Sequence, residues 1–287
     1  MEGMDQRTDA LTGASTVVVG SRQGRPNLPT DACPFCPGGL EAPDPYDVRW
    51  FVNRWPSMPD DRCEIVLYTP DHDAELWSLG RAGARRVVDL WADRTEALGA
   101  REDVAYVLVF ENRGPEVGAT IRHPHGQIYA YPEVPPAPLA ELVDGVLDPA
   151  WVAEDLVVAE LGDWRTWVPD AATWPYELRL APRAPVGSLT DADCDRDGLA
   201  AALVDATARL DQLFDEPMPY MLWIHQRPVD GGDWPDARLH VHIHPLNRRP
   251  GTPRFVASAE VGGGLYFNPV RPEDAAAQLR ALPAAPS

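Results

Sequence analysis

The sequence contains no lysine. All 25 of its basic residues are arginine, against 44 acidic residues, which gives the 287-residue chain a formal net charge of -19. Without a lysine amine, Schiff-base catalysis and a lysine-dependent phosphate-binding P-loop are excluded. The acidity argues against a nucleic-acid or anionic-membrane partner, because phosphate backbones bind basic surfaces. An anionic substrate must therefore be met by local arginines.

Cysteine and long apolar runs are also scarce. The four cysteines, Cys33, Cys36, Cys63 and Cys194, make a poor disulfide framework for a chain of this size. No apolar run is long enough to span a bilayer, and the N-terminus lacks the basic and apolar pattern of a signal peptide. We therefore expect a cytoplasmic protein without a membrane partner.

Two of the cysteines form a Cys-x-x-Cys motif. Cys33 and Cys36 enclose Pro34 and Phe35 in a turn-rich stretch. This spacing is typical of half a metal site. A redox pair and two unrelated thiols remain as alternatives.

The most informative stretch is residues 122–130. His123 and His125 are two positions apart, so in an extended segment their side chains share a face and can serve one pocket. A neutral imidazole can attack phosphorus when its second nitrogen donates to a fixed acceptor. We expect Gly126 to let a ligand approach the backbone and Gln127 to hydrogen-bond a phosphoryl oxygen. The alternative is that the histidines are structural or bind only a metal.

The second half of the chain repeats the plan of the first. A strand, a proline turn, a helix over 79–99, a strand over 104–110 and a glycine-bearing loop precede the first histidine pair. The second half shows the same order, with a helix starting near Thr190 and a strand over 220–225. Two copies of one unit explain this most economically. We predict halves at 1–135 and 136–287 in an α+β fold, with helices packed on a mainly antiparallel sheet.

Histidines also alternate near the end of the second copy. His240, His242 and His244 share one face of a predicted strand, and His225 ends the neighbouring strand. Three alternating imidazoles are rarely only core residues. They predict a metal site with a fourth ligand from elsewhere in the chain.

Three motifs together resemble a known family. They are Phe-Glu-Asn-Arg-Gly at 110–114, Gly-Ala-Thr at 118–120 and His-Pro-His-Gly-Gln at 123–127. This set resembles the signature of the galactose-1-phosphate uridylyltransferase family, in the histidine-triad superfamily. The resemblance implies two histidine-triad-like halves, with His125 as the residue that becomes uridylylated and Gln127 beside it.

The resemblance also implies two metal sites. The first is a closed, structural zinc site, for which a Cys2His2 donor set is well suited; its ligands are Cys33, Cys36, His72 and His123. The second would hold iron or zinc; its ligands are Glu141, His225, His240 and His242. His244 is the alternative to Glu141 in this second site.

Substrate contacts follow from the same resemblance. It implies a homodimer in which Arg22 and Arg25 reach across the interface to the nucleotide phosphates. The remaining implied contacts are Asn53 to the nucleoside, Asn112, Gly118 and Thr120 to the UMP portion, and Arg254, in place of a family lysine, to the sugar phosphate. Arg54 and Trp55 depart from the Asp-Phe pair of some members, and the family's aromatic and amide contacts to the sugar phosphate have no clear match.

The expected activity is that of a UDP-glucose:hexose-1-phosphate uridylyltransferase in galactose metabolism. It would exchange UMP between glucose 1-phosphate and galactose 1-phosphate through a uridylyl-histidine. The first alternative is a related phosphorylase or nucleotidyltransferase that uses an ADP-sugar or a dinucleoside polyphosphate. The second is a zinc-stabilised binding protein with a vestigial site. A metallohydrolase is a third, and it would need an open metal position.

Overall fold

A nine-stranded antiparallel sheet forms the centre of this computed structural model, which describes residues 5–24, 32–145 and 147–285. Two small two-stranded hairpins lie outside this sheet. None of the described helices is long and apolar enough to cross a bilayer.

The elements have the following bounds. The strands are β1 (Gln6–Thr8), β2 (Ser15–Val17), β3 (Arg49–Val52), β4 (Cys63–Leu67), β5 (Tyr106–Arg113), β6 (His125–Tyr131), β7 (Val157–Leu161), β8 (Trp164–Trp167), β9 (Leu178–Pro182), β10 (Tyr220–His225), β11 (His240–Pro245), β12 (Asn247–Arg249) and β13 (Thr252–Pro253). The helices are α1 (Gly80–Gly99), α2 (Pro136–Asp144), α3 (Arg196–Phe214), α4 (Ser258–Gly263) and α5 (Pro272–Ala281).

The sheet consists of two similar sets of strands that meet in the middle. From its edge inward, the first half contributes β3, β4, β6 and β5, and the second half contributes β8, β9, β11 and β10 in the same order, with β7 added outside. The two inner strands, β5 and β10, are antiparallel neighbours, and Arg113 pairs with Tyr220. The expected tandem histidine-triad-like arrangement in an α+β fold is confirmed. The boundary at 135/136 stays a prediction.

Helices α1 and α3 cover one face of the sheet. A cross-strand row of apolar residues on this face is fully buried and runs through both halves; it consists of Ile128, Val109, Ile224, Val241 and Leu180. The helix predicted over 79–99 is observed at Gly80–Gly99, and its buried residues recur at the helical spacing that the sequence shows. This side of the sheet is the hydrophobic core.

The start of α3 differs from the prediction. A helix was expected from near Thr190, but α3 begins at Arg196. Asp195 is the N-cap, and its Oδ1 accepts from the backbone N–H of Gly198 at 2.8 Å. Asp191 lies earlier, where its Oδ2 accepts from the backbone N–H of Gly187 at 2.9 Å. Asp191 therefore stabilises a turn before the helix, and Asp195 caps the helix itself.

The opposite face of the sheet bears polar and aromatic side chains. A second cross-strand row passes from Gln127 through Phe110 and Trp223 to His242 and Arg179. Because side chains alternate along a strand, this row lies on the face away from α1 and α3. Both predicted sites therefore lie on one face of one sheet.

The carboxyl group of Glu111 lies on the apolar face without a cationic partner among the described residues. Glu111 is 6% exposed, and its Oε1 accepts from the hydroxyl of Tyr220 at 2.8 Å. Burial raises the pKa of Glu111 to about 7, even though the hydrogen bond from Tyr220 acts to lower it. The buried carboxyl therefore favours its protonated form.

This burial predicts a pH-dependent loss of stability. The native carboxyl of Glu111 keeps its proton up to about pH 7, whereas the ordinary pKa is 4.5. The unfolded chain thus ionises first, and native stability falls as pH rises from about 4.5 to 7. Glu111→Gln abolishes this titration. Urea unfolding measures the free energy of unfolding of both proteins. Between pH 4.5 and pH 8 the value for the variant minus that for the parent should rise by about 3 kcal/mol.

The matched control is the exposed Glu102→Gln, which should keep the parent's pH dependence. An unchanged pH slope in Glu111→Gln would contradict a buried, protonated Glu111.

Candidate active site

His125 is the first residue of β6 and lies on the polar face of the sheet. Its Nδ1 lies 2.8 Å from the backbone oxygen of His123. A carbonyl oxygen only accepts, so Nδ1 bears the proton and the lone pair belongs to Nε2. The ring of Phe35 packs edge-on against His125, with centroids 5.1 Å apart. This is the tautomer and the fixed orientation that a nucleophilic imidazole requires.

His125 lines a cleft of about 320 Å³. The cleft brings together the predicted residues Arg22, Asn112, Gly118, Thr120 and Gln127, and its other lining residues are Ser57, Phe110, Val117, Ala119 and Tyr129. The lining combines one guanidinium with amides and hydroxyls. Such groups are suited to a phosphoryl group, because they donate hydrogen bonds and compensate negative charge.

Arg22 occupies the cleft of its own chain. Its guanidinium donates to Ser57 Oγ, which lies 2.8 Å from the hydroxyl oxygen of Tyr129. Burial raises the pKa of Tyr129, so its hydroxyl stays protonated. A guanidinium therefore reaches the cleft without crossing a dimer interface. Arg25, its predicted companion, lies outside the described residues.

Ser57 and Tyr129 were not among the predicted site residues. Tyr129 is two positions after Gln127, and strand alternation alone places the two on one face. That signal was present in the sequence. Ser57 lies in the segment between β3 and β4, and no local pattern indicates its position.

The first predicted metal cluster assembles beside His125. Ligand atoms of Cys33, Cys36, His72 and His123 all lie within 4.8 Å of one another. The Sγ of Cys36 is 3.5 Å from Nδ1 of His72 and 3.6 Å from Nδ1 of His123. His123 donates through Nε2 to the backbone oxygen of Thr69 at 2.8 Å, which leaves the Nδ1 lone pair on the cysteine side. This donor set fits a tetrahedral zinc ion.

The second predicted cluster lies on the polar face of the other half. Glu141 meets His225, His240 and His242, and one ligand atom from each lies within 4.8 Å of the others. Glu141 Oε2 is 2.6 Å from Nδ1 of His225 and 3.2 Å from Nε2 of His240. Glu141 Oε1 is 3.6 Å from Nε2 of His242. Glu141 is thus the carboxylate of this cluster.

The hydrogen bonds of this cluster leave acceptors facing one another. His240 Nδ1 lies 2.8 Å from the backbone oxygen of Arg238 and must donate to it, so in a neutral ring the Nε2 lone pair points at the Glu141 carboxylate. His242 Nε2 is buried without a hydrogen-bond partner among the described residues. Burial lowers the pKa of His242 and favours a neutral ring. Converging lone pairs and a carboxylate fit a metal cation.

Comparison with known proteins agrees with this geometry. The family model of the N-terminal domain of galactose-1-phosphate uridyl transferase matches residues 55–135, and that of its C-terminal domain matches residues 142–285. The chain belongs to the galactose-1-phosphate uridylyltransferase family. Its enzymes are nucleotidyltransferases, and the chain is an enzyme of that class.

Individual relatives are similar over most of the chain. The galactose-1-phosphate uridylyltransferase of Thermotoga maritima is 33% identical, covering 96% of this chain and 98% of the relative. That of Streptomyces lividans is 37% identical, covering 96% of this chain and 86% of the relative. A solved uridylyltransferase structure is 31% identical with a TM-score of 0.86, covering 97% of this chain and 98% of that one. An ADP-glucose phosphorylase of Arabidopsis thaliana is 26% identical, covering 89% of this chain and 83% of the relative.

The glycine of the uridylyltransferase motif has a different role from the one predicted. We expected Gly126 to open the backbone to a ligand, but it faces the core, and a Cβ there would lie 2.3 Å from the hydroxyl oxygen of Tyr68. Strand alternation puts Gly126 on the face opposite His125. The open backbone in the cleft belongs to Gly118, which has φ of 88° and no atom within 4 Å of an added Cβ.

His244 is not a ligand of the second cluster. Its Nε2 lies 3.4 Å from Oε1 of the buried Glu177, and its ring packs against Trp223 with centroids 4.5 Å apart. The alternative in which His244 replaces Glu141 is therefore wrong, because a different carboxylate holds His244 apart.

Two predicted substrate contacts lie outside the lining of the cleft. Asn53 is 8% exposed, and its Oδ1 accepts from the backbone N–H of Trp55 at 2.9 Å. Arg254 is 4% exposed, pairs with Glu260 and lies over the ring of Trp174 at 4.7 Å. Their contacts to nucleoside and sugar phosphate stay predictions.

The close approach at Gly126 yields a stability test. Gly126→Ala should lower the free energy of unfolding by about 1–3 kcal/mol, because the new methyl group overlaps the hydroxyl of Tyr68. Adding Tyr68→Phe removes that oxygen and should recover part of the loss. Urea unfolding of the four proteins in this double-mutant cycle measures the coupling. Strictly additive effects would contradict the proposed overlap.

Proposed function

We propose that this enzyme is a UDP-glucose:hexose-1-phosphate uridylyltransferase of galactose metabolism. The observation that supports it most directly is the 2.8 Å contact between His125 Nδ1 and the backbone oxygen of His123. It assigns the lone pair to Nε2 in a cleft that also contains Arg22, Gln127 and the amide of Asn112. A binding protein with a vestigial site has no need of this tautomer.

In the first half-reaction, Nε2 of His125 attacks the α-phosphorus of UDP-glucose. A nitrogen–phosphorus bond forms as the bond from phosphorus to the bridging oxygen breaks. Glucose 1-phosphate departs with that electron pair, and UMP remains on His125. The leaving group is a phosphate oxygen that is stable as an anion, so no general acid is required. Nδ1 keeps its proton, and the His123 carbonyl stabilises the positive charge on the ring.

The second half-reaction reverses these roles. A phosphate oxygen of galactose 1-phosphate attacks the uridylyl phosphorus, and the nitrogen–phosphorus bond breaks. Nε2 recovers its electron pair, and UDP-galactose forms. Two in-line displacements on one nucleophile give ping-pong kinetics with retention of configuration at phosphorus.

Cleft residues would stabilise the phosphoryl oxygens during both displacements. The Gln127 amide is two residues from His125 on the same face of β6, so it can donate to a non-bridging oxygen as charge develops. The Arg22 guanidinium supplies positive charge in a chain of net charge -19. The backbone of Gly118 and the side chains of Asn112 and Thr120 complete the lining on the side of the UMP portion.

The two clusters are proposed metal sites. Cys33, Cys36, His72 and His123 would hold zinc in a closed structural site, and Glu141, His225, His240 and His242 would hold iron or zinc. An ion in the first site would supply no chemistry to phosphorus. It would hold the ring of His123, whose carbonyl oxygen accepts from Nδ1 of His125. A closed Cys2His2 set offers no position for a water, which argues against a metallohydrolase at this site.

Assembly, location and domain division complete the proposal. We place the enzyme in the cytoplasm as a homodimer, with halves at 1–135 and 136–287. Support for association comes from a group of exposed apolar side chains in the C-terminal part of the chain; it comprises Phe255, Val261, Leu265 and Phe267.

The second candidate is transfer from an ADP-sugar. The observation that favours it is the departure at Arg54 and Trp55 from the nucleoside-binding pair of some family members, together with the relationship to an ADP-glucose phosphorylase. The same His125 chemistry would then leave an adenylyl group on the imidazole.

Intact-protein mass after brief exposure to a nucleotide sugar distinguishes these functions. With UDP-glucose we expect a mass gain of one UMP, no gain in His125→Ala, and removal of the adduct by galactose 1-phosphate. His244→Gln is the matched control, since His244 lies outside both the cleft and the second cluster. This control should gain UMP as the parent does.

Each result of this experiment is informative. A mass gain of one AMP from ADP-glucose and none from UDP-glucose would assign the enzyme to the second candidate. If neither sugar nucleotide modified His125, covalent transfer would be contradicted and the binding-protein hypothesis would be favoured.

Metal analysis tests the first cluster. Cys36→Ser should reduce bound zinc by about one equivalent per chain and lower the thermal midpoint, because a structural zinc site contributes directly to folding. Cys194→Ser removes a thiol outside both clusters and should keep the full metal content. Inductively coupled plasma mass spectrometry measures both. Equal zinc content in the two variants would rule out Cys36 as a ligand.

A further inference from the structure

A separate cavity of about 140 Å³ lies beside the second cluster. Its lining includes Glu141, His225 and His240 from that cluster, together with Arg179 and Arg238. None of the described residues lines both this cavity and the catalytic cleft. Uridylyl transfer at His125 uses neither of these two arginines.

Two arginines of this cavity have no described carboxylate partner. Among the side chains that the structure describes, which do not include that of Asp144, no ion pair joins Arg179 or Arg238 to a carboxylate. The Nε of Arg179 is buried and has no hydrogen-bond partner there. Arg238 donates only to neighbouring backbone oxygens, those of Pro235 at 3.2 Å and Ala237 at 3.1 Å. Leaving a buried charged donor unsatisfied is costly, so the Nε of Arg179 indicates a missing acceptor, and the half-buried Arg238 supplies a second guanidinium beside it.

The position of Arg179 directs this positive charge toward the second cluster. Arg179 on β9 is the register partner of His242 on β11, and the two share the polar face of the sheet. Oε2 of the Glu141 carboxylate lies 2.6 Å from Nδ1 of His225, which can donate to it. Asp236, the other acidic residue of the lining, is exposed to solvent. An anion that enters the cavity would therefore meet two guanidinium groups.

We propose that this cavity binds a tetrahedral oxyanion, either inorganic phosphate or the phosphate group of a sugar monophosphate, through Arg179 and Arg238. Arginine forks suit phosphate because several N–H groups can donate to two of its oxygens at once. The volume of about 140 Å³ suits such a group. A whole nucleotide needs a pocket of about 300 Å³ or more.

Calorimetric titration of the metal-loaded enzyme tests this site. Saturating UMP occupies the catalytic cleft, and inorganic phosphate and glucose 1-phosphate are then titrated in separate arms at fixed ionic strength. We expect one phosphate-bearing ligand per chain. Arg179→Met and Arg238→Met should each weaken it by about tenfold or more, because a charge-assisted hydrogen bond is lost. Arg86→Met, an exposed arginine on α1, should leave the affinity unchanged.

The two arms identify the source of the oxyanion. If inorganic phosphate binds and Arg179→Met and Arg238→Met both weaken that binding, the site accepts the free ion. If only glucose 1-phosphate binds and both variants weaken its binding, the site accepts a sugar monophosphate. The proposal is overturned if neither ligand gives saturable heat, or if binding is the same in Arg179→Met, Arg238→Met and the parent. Thermal unfolding of each variant without ligand confirms that it is folded, and either variant alone suffices for the test. Because the readout is binding rather than turnover, this site can fail while uridylyl transfer at His125 stands.

Discussion

The active site depends on the hydrogen bond between His125 and the backbone oxygen of His123. One residue, His123, has two functions: its ring contributes to the first cluster, and its carbonyl selects the tautomer of His125 at 2.8 Å. Both nitrogens of the His123 ring have partners, which restrict its rotation, and the backbone oxygen that contacts His125 belongs to the same residue. The backbone between residues 123 and 125 thereby connects the first cluster to the ring of His125.

The continuous sheet links the two sites of the molecule. The row from Gln127 through Phe110 and Trp223 to His242 and Arg179 crosses five strands on one face. Trp223 stacks on His242 with centroids 4.8 Å apart and an interplanar angle of 12°. The opposite face is the apolar core beneath α1 and α3. Packing on one face thus fixes the register that aligns polar residues on the other.

Arginine is the only cationic side chain available for binding anions, and its environment varies across the molecule. Arg22 lines the cleft, and Arg254 is buried in an ion pair with Glu260. The buried Nε of Arg179 has no hydrogen-bond partner among the residues that the structure describes. Since a guanidinium stays charged in every one of these settings, its function depends on which acceptors the fold brings within reach.

The sequence by itself determined the nucleophile candidate, the tandem plan and the closely spaced ligands of the two clusters. These depend on local spacing: His-x-His on a strand, Cys-x-x-Cys in a turn, and apolar periodicity in the helix at 80–99. Local spacing can be read from the sequence because side-chain direction repeats every two residues in a strand and every 3.6 residues in a helix. The same rule, applied strictly, would have assigned Gly126 to the core and Tyr129 to the cleft.

Only the tertiary structure decided which distant residues meet. It brought Glu141 to the second cluster and paired His244 with Glu177, although the sequence offered both residues as ligands. It also placed Ser57 beside Arg22 and positioned Arg254 away from the cleft lining. Such choices depend on how loops and helices pack over a shared sheet. Contacts between residues far apart in the chain depend on the whole fold, which no short stretch of sequence encodes.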